Sequence, residues 1–210
     1  MRNDLTELVL IVDRSGSMAT CSTDATGGIN AFIKEQQKLP GIAHLTLVQF
    51  DDKYEFVHKG VLINDVPEYQ LVPRGWTALL DAVGKAINET GDRLAALPES
   101  ERPGCVLVVI VTDGLENSSK EFSWSQIKSM VTHQQEVYNW KFTFIGADMD
   151  AFSVGSHLGI NAANVLNNSP KKYAQTYGTV SQAVSGARLA CAQGQDMNLC
   201  YNAEQRNSVL

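Results

Sequence analysis

Two apolar runs constrain this chain more than anything else in its sequence. Leu8-Val9-Leu10-Ile11-Val12 is unbroken and ends in Asp13, and Cys105-Val106-Leu107-Val108-Val109-Ile110-Val111 is unbroken and ends in Thr112-Asp113-Gly114. A strand with one wet face alternates apolar and polar residues, whereas a strand covered on both faces does not. Such strands belong to parallel sheets held between helices. A buried helix can also be apolar all round, but the shortness of these runs and their Val/Ile content favour strands. Each run therefore predicts a buried strand with an acid at its C-terminal end.

Leu45–Phe50 and Lys141–Gly146 read as two further strands. Tyr54-Glu55-Phe56-Val57 alternates and follows Asp51-Asp52-Lys53, a plausible tight turn, which predicts an antiparallel strand at a sheet edge. Helical spacing lies between the strands. It is carried by Ile29, Phe32 and Ile33, then Leu80, Val83, Ile87 and Leu94, then Trp124, Ile127 and Val131 after Ser123. Tyr173, Tyr177, Val180, Val184 and Ala187 mark a last helix, with Ser169-Pro170 as its expected cap and first position. The alternation predicts an α/β fold, with a doubly wound, mostly parallel central sheet of about six strands, one antiparallel edge strand and helices on both faces. Residues 1–190 form the expected domain. Residues 191–210 are polar and weakly periodic, and are expected to be a poorly ordered C-terminal tail.

The 210 residues are 44% hydrophobic, enough for a sizeable core in one domain. The net charge of -6 argues against nucleic-acid binding, which needs a clustered basic surface. The N-terminal segment lacks the charged and apolar regions of a secretory signal, and no apolar run approaches the ~20 residues of a membrane span. A cytoplasmic protein without a membrane partner is the expectation. Cys21, Cys105, Cys191 and Cys200 form no Cys-x-x-Cys pair and the four histidines are scattered, so a zinc site is not expected. Cys105 reads as a small apolar residue at the start of a buried strand.

In a doubly wound sheet, ligands bind beyond the carboxyl ends of the strands, near the point where strand order reverses. Asp13 and Asp113 end two buried strands, and Arg74-Gly75-Trp76-Thr77 opens a helix. If these loops converge, they gather Asp13, Ser15, Ser17, Thr77 and Asp113. All five offer oxygen, the donor of hard cations, so the set suits Mg2+, with Mn2+ or Ca2+ as alternatives. Asp-x-Ser-x-Ser on a tight loop can turn alternate side chains toward one point, with Gly16 easing the turn. With only two carboxylates facing a doubly charged ion, the metal stays electrophilic toward an outside acid.

The pattern Asp13-x-Ser15-x-Ser17, then Thr77, then Thr112-Asp113-Gly114 resembles the metal-ion-dependent adhesion site (MIDAS) of von Willebrand factor A (VWA) domains. The order of strands and helices is similar to that fold from about Leu5 to Leu189. Phe144-Ile145-Gly146-Ala147-Asp148, Asp150-Ala151-Phe152 and Leu158-Gly159-Ile160 resemble its standalone bacterial and phage members. The resemblance implies that Ser15, Ser17 and Thr77 bind the metal directly, and that Asp13 and Asp113 bind it directly or through water. The family often has Gly-Gly before the threonine, where this chain has Gly75-Trp76.

Single residues also carry plainer readings. Asp13 and Asp113 could be helix caps, and Ser15 and Ser17 turn formers. Trp76 reads equally as a core residue or a rim contact, and Arg14 as a solvent-exposed side chain or a partner for an incoming acid. Glu116-Asn117-Ser118-Ser119 reads as a solvated loop, or as a lining of the site. Asp148 and Asp150 read as turn and capping residues. Arg14, Trp76, Gly114 and Glu116 are the expected partner-binding rim. The expected function is a divalent-metal-dependent protein-binding module, not an enzyme. Its metal would accept an Asp or Glu of a protein partner, or of a second copy in a homo-oligomer. The alternative is a Mg2+-dependent phosphohydrolase. Against it, the chain has no Asp-x-Asp nucleophile pair, no Gly-x-Ser-x-Gly elbow and no P-loop. A dinucleotide-binding reading fails because Asp-Arg-Ser-Gly-Ser-Met stands where Gly-x-Gly-x-x-Gly would be needed.

Overall fold

The computed structural model describes residues 1–147, 149–169 and 171–210. Its strands are β1 (Arg2–Asp13), β2 (Ile42–Phe50), β3 (Tyr54–Leu62), β4 (Pro103–Thr112), β5 (Lys141–Ala147) and β6 (Val165–Asn168). Its helices are α1 (Ser22–Gln37), α2 (Leu79–Ala95), α3 (Trp124–Tyr138), α4 (Ala151–His157), α5 (Tyr173–Ala192) and α6 (Ala203–Ser208). The strands form one sheet in the order β3-β2-β1-β4-β5-β6. Only β3 runs antiparallel, as its alternating sequence predicts, and the other neighbours pair parallel.

The unbroken apolar runs are explained by the two layers of helix. Leu8, Leu10 and Val12 of β1, with Leu107, Val109 and Val111 of β4, pack with α1 and α5 on one face. Val9 and Ile11, with Val106, Val108 and Ile110, pack with α2, α3 and α4 on the other. Cys105 is fully buried on the α1 and α5 face. Because β1 and β4 are adjacent (Leu8 opposite Leu107, Val12 opposite Val111), Asp13 and Asp113 leave the sheet side by side. This is the switch point. The chain proceeds from β1 outward to β2 and β3, then crosses back over α2 to β4 on the other side.

Three details differ from the sequence reading. The short strand β6 and helix α4 are additional. Asp150 does cap α4, accepting a hydrogen bond from the Ser153 N–H at 3.1 Å, while Asp148 lies outside the described residues. Helix α5 starts at Tyr173 with Lys172 at its N-cap, not at Ser169-Pro170. The Ser169 N–H is committed to the Val209 carbonyl at 2.9 Å and its carbonyl to the Lys172 N–H at 2.9 Å, which closes a turn ahead of the helix; Pro170 lies outside the described residues. Residues 191–210 are not a loose tail. Cys191, Met197, Leu199, Tyr201 and Val209 are buried in the core, and α6 carries a full capping box from Asn202 and Gln205. A few apolar residues at irregular spacing, each meeting a prepared surface, leave no periodic trace in a sequence.

Candidate metal centre

Asp13 ends β1 fully buried, and both of its oxygens are engaged. Oδ1 accepts the Ser15 N–H at 2.6 Å and Oδ2 the Thr112 hydroxyl at 2.5 Å. The first bond is an Asx-type turn, which fixes Ser15 against the strand end. The chain then enters a 3-10 turn, Gly16–Thr20. Gly16 is not in the left-handed region. That conformation falls instead on Gly75, at φ +70°. The Gly16 N–H donates to the Gly75 carbonyl at 3.1 Å, so the first loop is laced to the loop that carries Thr77. A β-carbon at Gly75 would lie 2.1 Å from Asp52 Oδ1, so glycine is required there on two counts.

The five oxygen-bearing residues do converge. Ser15 Oγ and Ser17 Oγ are 3.0 Å apart, and Ser17 donates to Asp113 Oδ1 at 2.6 Å. Gly114 locates the centre. A β-carbon there would lie 2.8 Å from Thr77 Oγ1, 3.3 Å from Ser17 Oγ and 3.5 Å from Ser15 Oγ. Three hydroxyls thus surround one small space that any side chain at position 114 would fill. Asp13, Ser15 and Thr77 are buried at its base, and Ser17 and the half-buried Asp113 stand nearer solvent.

The electrostatics fit a cation. Burial pushes the Asp13 carboxyl up to about 6, against the Thr112 and Ser15 hydrogen bonds, and the nearby Asp113 charge pushes the same way. The donor set is hydroxyl and carboxylate oxygen, which is hard-cation chemistry in which the two carboxylates match but do not exceed the charge of a divalent ion.

The expected rim fares unevenly. Trp76 is 69% exposed, which decides for the rim over the core, and Leu115 beyond Gly114 is exposed as well. Arg14 is not at the rim. Its side chain is buried and turned toward the hairpin, with Nε 3.0 Å from Asp51 Oδ2 and Nη2 3.0 Å from Glu55 Oε1. Arg74 reaches the same two carboxylates at 2.6 and 2.8 Å. The Arg14 guanidinium beside it is the first cause holding Glu55 down at about 2. Glu116 is drawn inward too. It accepts the Leu80 N–H of α2 at 3.0 Å, and the Ser118 and Ser119 N–H groups and the Ser119 hydroxyl at 2.7–2.9 Å.

Sequence reasoning missed this supporting collar. Asn117 Oδ1 accepts the Thr77 N–H at 2.9 Å, and the Asn117 N–H returns to the Thr77 carbonyl at 3.0 Å. Ser119 Oγ accepts the Asp81 N–H, and the Asp81 carboxylate accepts the Lys120, Glu121 and Phe122 N–H groups. The loop, read as solvated or as a lining of the site, therefore cradles Thr77 and caps α2. Its one visible signal was an acid followed by Asn-Ser-Ser just after a strand end.

No family model matches the sequence, and no curated protein matches it. Solved structures are similar. The proximal thread matrix protein PTMP1 of the mussel byssus superposes with TM-score 0.60 at 16% identity, over 89% of this chain and 46% of that one. This chain thus spans less than half of the mussel protein, which has also been solved with zinc in its MIDAS motif. The vWF domain of the type V pili tip protein Mfa5 from Porphyromonas gingivalis gives TM-score 0.61 at 10% identity, over 85% of this chain and 94% of that one. Manganese-loaded TRAP protein of Plasmodium vivax gives 0.55 at 16% identity, over 83% and 72%. A central sheet with one antiparallel edge, a Ser-rich loop at the switch point and these superpositions agree: the chain has the fold of a von Willebrand factor A domain.

Proposed function

We propose that the chain is a divalent-metal-dependent protein-binding module, not an enzyme, working in the cytoplasm. Ser15, Ser17 and Thr77 would hold the cation through their hydroxyls, with Asp13 and Asp113 completing the set. Mg2+ is the proposed native ion, with Mn2+ and Ca2+ as substitutes. A bound cation supplies an open electrophilic position for an Asp or Glu carboxylate of a partner protein, or of a second copy of this chain. The observation that carries this reading is the space at Gly114, ringed by three hydroxyls and backed by two carboxylates. Zinc and manganese in the mussel and Plasmodium proteins support a divalent site on this fold. The chain's own groups do the positioning. Asp13 orients Ser15 through its N–H, Thr112 fixes Asp13, and Asn117 fixes Thr77. Among the described residues, no helix is long and apolar enough to cross a membrane.

The test is a calorimetric titration of the full chain with Mg2+ and Mn2+, alongside affinity capture from the native cell in Mg2+ against EDTA. Wild type is compared with Asp13→Ala and Thr77→Ala. Saturable binding lost in both variants, with capture that needs Mg2+, is expected. EDTA-insensitive capture would sink the reading. So would metal-dependent turnover of a phosphoester panel that disappears in Asp13→Ala.

A further inference from the structure

Beside Thr77 lies a groove of about 280 Å³ that the metal set does not use. Trp76 and Ala78, the chain neighbours of Thr77, both line it, so it begins one residue from a proposed metal ligand. Tyr54 of β3 stands on its wall, and three lysines, Lys53, Lys85 and Lys120, reach it from the hairpin turn, α2 and the collar loop. Two acids of the groove are already committed. Asp81 accepts three backbone N–H groups and Glu121 pairs with Lys85 at 2.5 Å, while Asp52 is exposed beside Lys53 and is not engaged in an ion pair among the described residues. Lys53 and Lys120 are exposed, and among the described residues neither has an acid at ion-pair distance. The exposed Trp76 indole thus lines a groove that carries two lysines without ion-pair partners and adjoins the proposed metal ligand Thr77.

We propose that this groove is the second half of the partner site, taking an acidic segment that places one carboxylate at the metal and a second acidic side chain at Lys53 and Lys120, with the intervening chain over Trp76. The proposal rests on the metal-binding reading. It follows from the two lysines that lack ion-pair partners, which an acidic side chain would pair with, and from the continuity of the groove with the Thr77 loop. Two exposed ion pairs would tighten binding by roughly threefold or more.

The probes are capped synthetic peptides read by NMR, with the Trp76 indole N–H resonance as reporter and Mg2+ or EDTA present. One peptide carries a single Asp in a Gly-Ser chain. Others are Asp-(Gly-Ser)n-Glu of increasing spacer length, and a matched series has Lys in place of Glu. The expected result is at least threefold tighter binding of one or more two-acid peptides over the one-acid peptide, with the Trp76 resonance shifting. That ratio should collapse to about one in Lys53→Glu/Lys120→Glu. Equal binding of one and two acids at every spacing, equal binding of the lysine series, or no binding of any peptide would overturn the proposal. Asp13→Ala separates the two readings. Loss of all binding in that variant places the first carboxylate at the metal. Lysine-dependent preference that survives both Asp13→Ala and EDTA would uphold the groove and remove the metal.

Discussion

One absent carbon keeps the centre open. The Gly114 backbone is not in the left-handed region, so alanine would suit its conformation, yet a methyl group there would meet Thr77 Oγ1 at 2.8 Å. Gly114→Ala should therefore weaken Mg2+ and Mn2+ binding at least tenfold and, because Thr77 must shift, destabilise the metal-free protein by about 1–3 kcal/mol. Calorimetry and urea unfolding of the same samples separate the two, and unchanged metal affinity would remove the space from the argument. The residues proposed to hold the metal were legible as a cluster because a strand-end acid and a hydroxyl-rich turn are local chemistry. The space at Gly114 was not, because it is a relation among three loops. Arg14 was misjudged by adjacency: it follows Asp13 in the chain, but the buried Asp51 draws its side chain toward the hairpin. The clue was present. Asp51 also ends an apolar strand, just as Asp13 and Asp113 do, and reading it only as part of a turn hid the same signal.

At the scale of elements, the site depends on how α2 and the β2–β3 hairpin are tied to the metal loops. Helix α2 has no side-chain cap at its N-cap residue Ala78, and Glu116 and Ser119 from the collar loop serve its first N–H groups instead. Glu116→Ala should cost about 1 kcal/mol through the unsatisfied N–H groups. It should also lower metal affinity, because the collar that orients Thr77 loosens, whereas a solvated-loop role would leave affinity untouched. The hairpin is tied by Arg14 and Arg74 sharing Asp51 and Glu55. Removing Arg14 leaves the buried Asp51 with Arg74 and the Lys53 N–H, and Arg14→Ala should destabilise the fold by roughly 1.5–3 kcal/mol in urea unfolding. The pH dependence has a definite sign. The Glu55 carboxyl is held down from 4.5 to about 2 in the folded chain, so its contribution is full above the unfolded value and drains away as pH falls through that window. Glu55→Gln should flatten the acid limb of the stability curve between those two values and leave neutral-pH slopes unchanged.

For the whole molecule, the legible part was what periodicity and burial write into a sequence: unbroken strands, amphipathic helices and the alternation that forces a doubly wound sheet. That order brought β1 and β4 together and so fixed where a ligand could sit. What stayed hidden was closure of the far edge. The strand β6 is four residues long. It is held from outside by the C-terminal segment, where the Arg206 guanidinium donates to the carbonyls of Val165 at 2.7 Å, Ala162 at 2.8 Å and Ala163 at 2.9 Å. Tyr201 is buried with its hydroxyl 2.7 Å from Thr143 Oγ1, and Leu199 and Val209 are buried with it. These contacts make residues 191–210 the last piece of the core. Truncation after Ala192 should cost at least ~5 kcal/mol, on the scale of losing one large buried side chain and several smaller ones. For a chain of this size that lowers the melting temperature by about 10–20 °C. The substitution Arg206→Ala should give part of that loss, and Tyr201→Phe only the ~1 kcal/mol of one hydrogen bond. Thermal melts of the three variants rank these terms, and a truncated chain that melts with wild type would return the segment to the status of a tail. The proposed metal centre lies at the ends of β1 and β4, two strands in from β6, so calorimetric Mg2+ affinity measured well below the lowered melting point should stay within about twofold of wild type, as expected for sites that share no contacts.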